Sequence, residues 1–232
     1  MRLKKITEKG KAGNFFIGNS EIFAINWNNS ASPDFFAFSE SRVLRQVDKE
    51  YFVIETVGKN YKLIEKQLPF SIENYQSTMD EQGNQYFCFY QEGVIHGFDS
   101  NAYRILEWRA YETGQGYAIY DLEYQFPDSL WLAFPTGQTV TQVSISEKKE
   151  IYKIGEYTWD DKYDPLSYPE SLFVKGAFVY IPNMGNNKLF RFNNESKELQ
   201  LIETFEEKIW QYEETDFGTF ITTDTGIYEI EK

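Results

Sequence analysis

Apolar residues along this chain come in short bursts closed by Gly, Asn, Asp or Pro, and the bursts come in pairs. Gly13-Asn14-Phe15-Phe16-Ile17 turns through Gly18-Asn19-Ser20 into Glu21-Ile22-Phe23-Ala24-Ile25. Gly218-Thr219-Phe220-Ile221-Thr222 turns through Thr223-Asp224-Thr225 into Gly226-Ile227-Tyr228-Glu229-Ile230, and the two stretches align without a gap. Aromatic and β-branched runs bounded by such residues predict strands, and Gly, Asn and Asp accept the tight backbone of a hairpin turn. The same unit recurs as Tyr51–Ile54 with Tyr61–Ile64, Tyr86–Phe89 with Val94–Phe98, Leu130–Phe134 with Val140–Val143, and Ala177–Pro182 with Lys188–Phe192. Phe16, Phe52, Phe87, Trp131, Phe178 and Phe220 are expected to be buried at comparable positions of successive units.

The segments between hairpins have room for two further strands each. They are Phe35–Phe38 and Arg42–Val47; Tyr103–Trp108 and Tyr117–Tyr124; Ile151–Ile154 and Ser171–Val174; Leu199–Ile202 and Ile209–Tyr212. The best helix candidate, Glu203 to Trp210, is short and acidic. A β unit recurring every roughly 35 to 48 residues resembles the blade of a β-propeller, in which each repeat is a four-stranded sheet. The resemblance spans nearly the whole chain and is generic. One Trp-Asp dipeptide, Trp159-Asp160, occurs without recurring, and neither the kelch glycine pair nor the Asp-box is present. It implies an all-β fold in one domain, residues 1–232, of five or six blades. Six hairpins favour six, while the weakly patterned stretch Pro69 to Met79 would allow five. The final hairpin reaches Lys232 with no outer strand, which Leu3 to Thr7 would supply, closing the ring. A β-sandwich is the alternative architecture.

Composition supports a large aromatic core: 232 residues, 41% hydrophobic, with 20 Phe and 17 Tyr. The net charge of −13 repels a phosphate backbone and an anionic membrane surface, so neither nucleic acid nor membrane is expected as a partner. If a macromolecule is bound, a basic protein is favoured. Cys88 is the single cysteine and excludes a disulfide framework. No apolar run has the length of a membrane helix, and the basic start Met1–Ile6 is not followed by a signal-type stretch, so a cytoplasmic location is expected.

Catalytic motifs are missing. There is no nucleophile elbow, phosphate loop or zinc-protease signature, and His96 is the single histidine. No cofactor is implied. Carboxylate chemistry needs no histidine, and glycoside hydrolysis runs on two acids. Trp159-Asp160-Asp161-Lys162-Tyr163-Asp164 gathers three acids among aromatics in the longest segment between strands. In a propeller the hairpin turns share a face with the links between blades. That placement would bring Trp159, Asp160, Asp161, Tyr163 and Asp164 together with Arg109 and Tyr111 from another link and Asn183 and Asn186 from a turn. The expected function is non-enzymatic binding of a protein, by this loop-rich face, in the manner of an immunity protein neutralising a basic partner. The alternative is a carbohydrate-binding or glycoside-hydrolysing propeller using carboxylates and aromatics.

Overall fold

The structure, a computed structural model, describes residues 2–5, 12–18, 21–26, 34–37, 42–47, 50–57, 60–65, 75–89, 93–99, 103–109, 118–157, 165–215 and 218–231. Among them are β-strands and one 3-10 turn, Pro135–Gly137. The strands form six antiparallel sheets, distributed over two compact units. One unit comprises residues 1–73 and 210–232. Here β1 is Arg2–Lys5, β2 Ala12–Gly18, β3 Glu21–Asn26 and β4 Asp34–Ala37; β5 is Arg42–Val47, β6 Glu50–Val57 and β7 Asn60–Glu65. The sheets β2-β3-β4 and β5-β6-β7 each centre on a recurrent hairpin. A third sheet joins the two extremes of the sequence.

The other unit, residues 74–209, holds three four-stranded sheets. The first runs β8 (Tyr75–Met79), β9 (Gln85–Phe89), β10 (Val94–Phe98), β11 (Arg104–Arg109). The second runs β12 (Asp121–Gln125), β13 (Ser129–Phe134), β14 (Thr139–Ser144), β15 (Lys149–Ile154). The third runs β16 (Phe173–Lys175), β17 (Phe178–Asn183), β18 (Lys188–Asn193), β19 (Glu198–Thr204). β20 (Ile209–Thr215), β21 (Gly218–Thr223) and β22 (Gly226–Glu231) complete the sheet of the first unit in the order β1-β22-β21-β20. There Leu3 pairs with Ile230 and Lys5 with Tyr228. The N-terminal strand therefore supplies the outer edge beside the last hairpin.

The core of the 74–209 unit explains why β13 is apolar from Leu130 to Phe134. Strand side chains alternate between faces. Leu130, Leu132 and Phe134 of β13 pack with Tyr86, Cys88, Ile95 and Leu106 of the first sheet. Trp131 and Ala133, pointing the other way, pack with Val179, Ile181, Phe190 and Phe192 of the third. A strand covered on both faces has no polar alternation to show. The Trp131 indole meets the Phe192 ring edge-on, with centroids 5.5 Å apart. Gly97 has a specific reason: a Cβ there would stand 2.8 Å from the Cβ of Leu106 and 3.2 Å from the Tyr86 ring.

All six hairpins form as the pattern predicts, and so do the strands between them, with shifted bounds. β12 begins at Asp121 rather than at Tyr117, and β16 spans only Phe173–Lys175. Pro69 to Met79 holds a strand after all, β8, whose mixture of Tyr, Gln, Ser and Thr hides the alternation. Glu203 to Trp210 is no helix: β19 ends at Thr204, a bend follows, and β20 starts at Ile209. Phe87, Trp131 and Phe220 are buried as expected. Phe178 is not equivalent to them. It opens the β17–β18 ladder opposite Asn193, whereas Trp131 is third in its ladder, opposite Gln142. Phe178 is therefore partly exposed and carries the Arg191 guanidinium 4.7 Å above its ring. Its repeat-equivalent is Tyr180. The side chains of Phe16 and Phe52 lie outside the described residues.

Candidate functional site

Two opposite ends can be defined on the 74–209 unit. In the middle sheet, Asp121 pairs with Ala133 near the turn at Pro135–Gly137, and Gln125 pairs with Ser129 across the turn 126–128. At the first end, the Leu172 N–H just before β16 donates to Asp121 Oδ2 at 2.7 Å. At the second, Gln125 Nε2 donates to Gly176 O at 2.8 Å and Asn194 Nδ2 donates to Gln125 Oε1 at 3.0 Å. The hairpin turn after β17 therefore shares the first end with the segment that leads into β16.

That hairpin turn, residues 184–187, grips the incoming link. Gly185 N–H donates to Ser167 O at 2.8 Å and Met184 N–H to Tyr168 O at 3.1 Å. Asn183 is fully buried. Its Oδ1 accepts from Ser167 N–H at 3.1 Å, and its Nδ2 donates to Pro165 O at 2.8 Å. Asn186 Nδ2 donates to the same carbonyl at 3.2 Å, while Asn186 Oδ1 is inaccessible and has no partner among the described residues. Phe205 N–H, in the next link, donates to Asn187 O at 2.8 Å. Asn187 itself adopts φ 60°, a left-handed conformation to which Asn is suited. A Cβ on Gly185 would stand 2.8 Å from Ser167 O and 3.1 Å from its carbonyl carbon. The absence of a side chain at Gly185 is what lets turn and link touch.

Among the sequence-derived candidates, Asn183 and Asn186 thus come together at this base, each holding the link immediately after Asp164. Arg109 is exposed at the end of β11, opposite Val94 and beside the first sheet's hairpin turn. Tyr111, Trp159, Asp160, Asp161, Tyr163 and Asp164 lie outside the described residues.

The sequence reading missed the carboxylates of β12. In Asp121-Leu122-Glu123-Tyr124-Gln125, Leu122 and Tyr124 join the core between the first two sheets, so the alternation assigns the acids to the other face. Asp121 Oδ1 accepts from Leu122 N–H at 2.9 Å, besides the bond from Leu172. Glu123 Oε2 accepts from the Thr78 hydroxyl at 3.2 Å, and Thr78 Oγ1 accepts in turn from Tyr124 N–H at 3.0 Å. Burial raises the pKa of Asp121, with the two backbone donors pulling against it. Burial also raises that of Glu123, and the neighbouring Asp121 charge raises it further. Glu170, in the link before β16, is pushed up to about 7 by burial, partly offset by Lys208. The signal was present as period-two acids in a strand between apolar neighbours.

No family model matches the chain. No curated protein matches it either. Among solved structures, virginiamycin B lyase from Staphylococcus aureus aligns with a TM-score of 0.56 at 13% identity, over 96% of this chain and 81% of that one. A protein of unknown function from Bacteroides thetaiotaomicron aligns with a TM-score of 0.68 at 10% identity, over 98% of this chain and 71% of that one. Identities this low carry the fold and no chemistry. Both are propeller proteins, and the antiparallel sheets agree with them: this chain is an all-β protein of the propeller class.

Proposed function

We propose that the chain is a binding protein that holds a basic protein partner at the end of the sheets carrying the 184–187 turn and the 165–170 link. One observation carries this reading: the link that follows Asp164 is fixed by five hydrogen bonds to a hairpin turn. Loops raised on such a rigid base are where binding residues concentrate, because little ordering entropy remains to oppose association. The net charge of −13 sets the preferred sign of the partner, in the manner of an immunity protein neutralising a basic target.

The test is a pull-down from the native host followed by binding kinetics on the recovered partner. Asp160→Ala with Asp161→Ala is expected to slow association and to reduce its salt sensitivity, since exposed charges act through screened attraction. Trp159→Ala is expected to speed dissociation, because an aromatic anchor is held by packing. A triple variant that binds as the wild type does would remove the loop from the interface.

Carbohydrate binding or hydrolysis is the second reading, favoured by the Asp121 and Glu123 carboxyls. Burial raises the pKa of both, Glu123 further through the charge of Asp121, and a carboxyl that holds its proton beside an ionised one is what glycoside cleavage uses. Glu123→Gln would then abolish turnover of a cleaved glycan while leaving its affinity largely intact. A glycan panel with no substrate for the wild type ends this reading.

A further inference from the structure

The opposite end of the 74–209 unit has a surface that the loop-face reading leaves unused. Two turns meet there, 80–84 between β8 and β9 and 126–128 between β12 and β13. They are held together by a pair of tyrosines whose rings stack with centroids 6.4 Å apart. Tyr86 donates its hydroxyl proton to Asp80 Oδ2 at 3.1 Å, and Tyr124 donates to Pro127 O at 2.9 Å. Thr78, bonded to Tyr124 N–H, ties β8 to β12, so Met79, one residue beyond Thr78, and Phe126, two beyond Tyr124, lie at the same end of these strands. Those residues are apolar and open: Met79 is 59% exposed and Phe126 66% exposed.

The surroundings are acidic. Asp80 accepts from the N–H groups of Gln82 and Asn84, both at 2.9 Å, and these bonds help hold its carboxyl ionised. Asp128 is fixed by the Ser144 hydroxyl at 2.9 Å. Glu81, next to Asp80, is exposed, and all three carboxylates act on the Tyr124 phenol. No ion pair joins any of the three to a cation among the described residues. Asp80 is buried in its turn, so the charge open to a partner is that of the exposed Glu81 and the half-buried Asp128, and exposed apolar residues beside such charge are complementary to one class of surface, apolar residues flanked by Lys or Arg.

We propose that the end formed by residues 79–84 and 126–128 is a second docking surface, for a basic amphipathic segment of a partner protein. Phe126 and Met79 take the apolar face of that segment, and Glu81 and Asp128 attract its cations. A thioether beside an aromatic ring adapts to varied apolar partners. With the loop face at the other end, this surface would let the protein join two partners.

The experiment uses the full chain and a fluorescent amphipathic peptide of about 18 residues, with Lys on one helical face and Leu and Trp on the other. An equally long Glu-for-Lys peptide and a Lys-Gly-Ser peptide serve as controls. Anisotropy is expected to show binding of the first peptide alone, weakened by added salt. Met79→Ser with Phe126→Ser should weaken it by at least about tenfold, and Glu81→Lys by several-fold. All three side chains are exposed, so Tm should be unchanged in both variants. Binding that the double variant retains, or that the Lys-Gly-Ser peptide matches, overturns the proposal. So does the absence of any binding. Sedimentation showing that Phe126→Ser dissolves a dimer would assign the patch to self-association and overturn it too. Peptide binding that survives Trp159→Ala separates this surface from the loop face.

Discussion

Two residues illustrate opposite uses of burial. Trp131 lies fully inside the second core cluster, against Phe192, with its indole N–H donating to Gln125 Oε1 at 2.8 Å. Trp131→Ala removes that packing, opens a cavity and leaves Gln125 one donor short. The expected loss is about 3–5 kcal/mol, measured by urea unfolding. Glu170 is a carboxyl whose burial costs stability. Its folded pKa of about 7 exceeds the ordinary 4.5, so the folded state holds the proton more tightly than the unfolded chain. Its contribution to stability is therefore full below pH 4.5 and falls as pH rises to about 7. Glu170→Gln should flatten stability against pH across this window. A variant whose curve is parallel to the wild type would show that Glu170 titrates normally.

At the scale of elements, the turn 184–187 and the link 165–169 form one piece. Gly185→Ala places a methyl against Ser167 backbone, and the link must move to admit it. Asn183→Ala removes both side-chain bonds to the link: the buried Ser167 N–H loses its acceptor, while the Pro165 carbonyl keeps the bond from Asn186 Nδ2. An unsatisfied buried polar group costs about 1–3 kcal/mol, so Asn183→Ala should lower stability by about that much. Hydrogen exchange at Ser167 and Gly185 is the direct check: both amides should lose protection in either variant. Protection unchanged would mean that turn and link are held by packing alone.

At the scale of the molecule, the sheet β1-β22-β21-β20 joins strands from the two extremes of the sequence. β1 covers the edge of β22 through four residue pairs, Arg2 with Glu231 to Lys5 with Tyr228. Deleting residues 1–5 would uncover that edge, and an exposed strand edge is a template for another chain. The expected result is a Tm lower by roughly 5 °C or more, since about 2 kcal/mol shifts a domain of this size by that much. Concentration-dependent association in sedimentation should accompany it. A truncated chain that stays monomeric at unchanged Tm would show that β1 is dispensable.

The sequence by itself determined the hairpins, because a hairpin is a local object. Its turn chemistry and its aromatic strands lie within about a dozen residues, and both were legible in Gly13–Ile25 and Gly218–Ile230. It also pointed to the N-terminal stretch as a strand of the last hairpin's sheet, where β1 pairs with β22. The register of Phe178, the strand hidden in Tyr75–Met79 and the role of Asn183 were decided elsewhere. Each depends on which neighbour a residue meets across a sheet or between sheets: Asn193 for Phe178, Phe87 and its ladder for β8, the Pro165 carbonyl for Asn183. The acids of β12 belong with them. Asp121 is an ordinary strand-edge carboxylate in sequence, and only the Leu172 N–H, far along the chain, makes it a tie between two sheets. Local propensity sets the elements, while burial and the partners that remove water from a polar group arise only when distant elements pack.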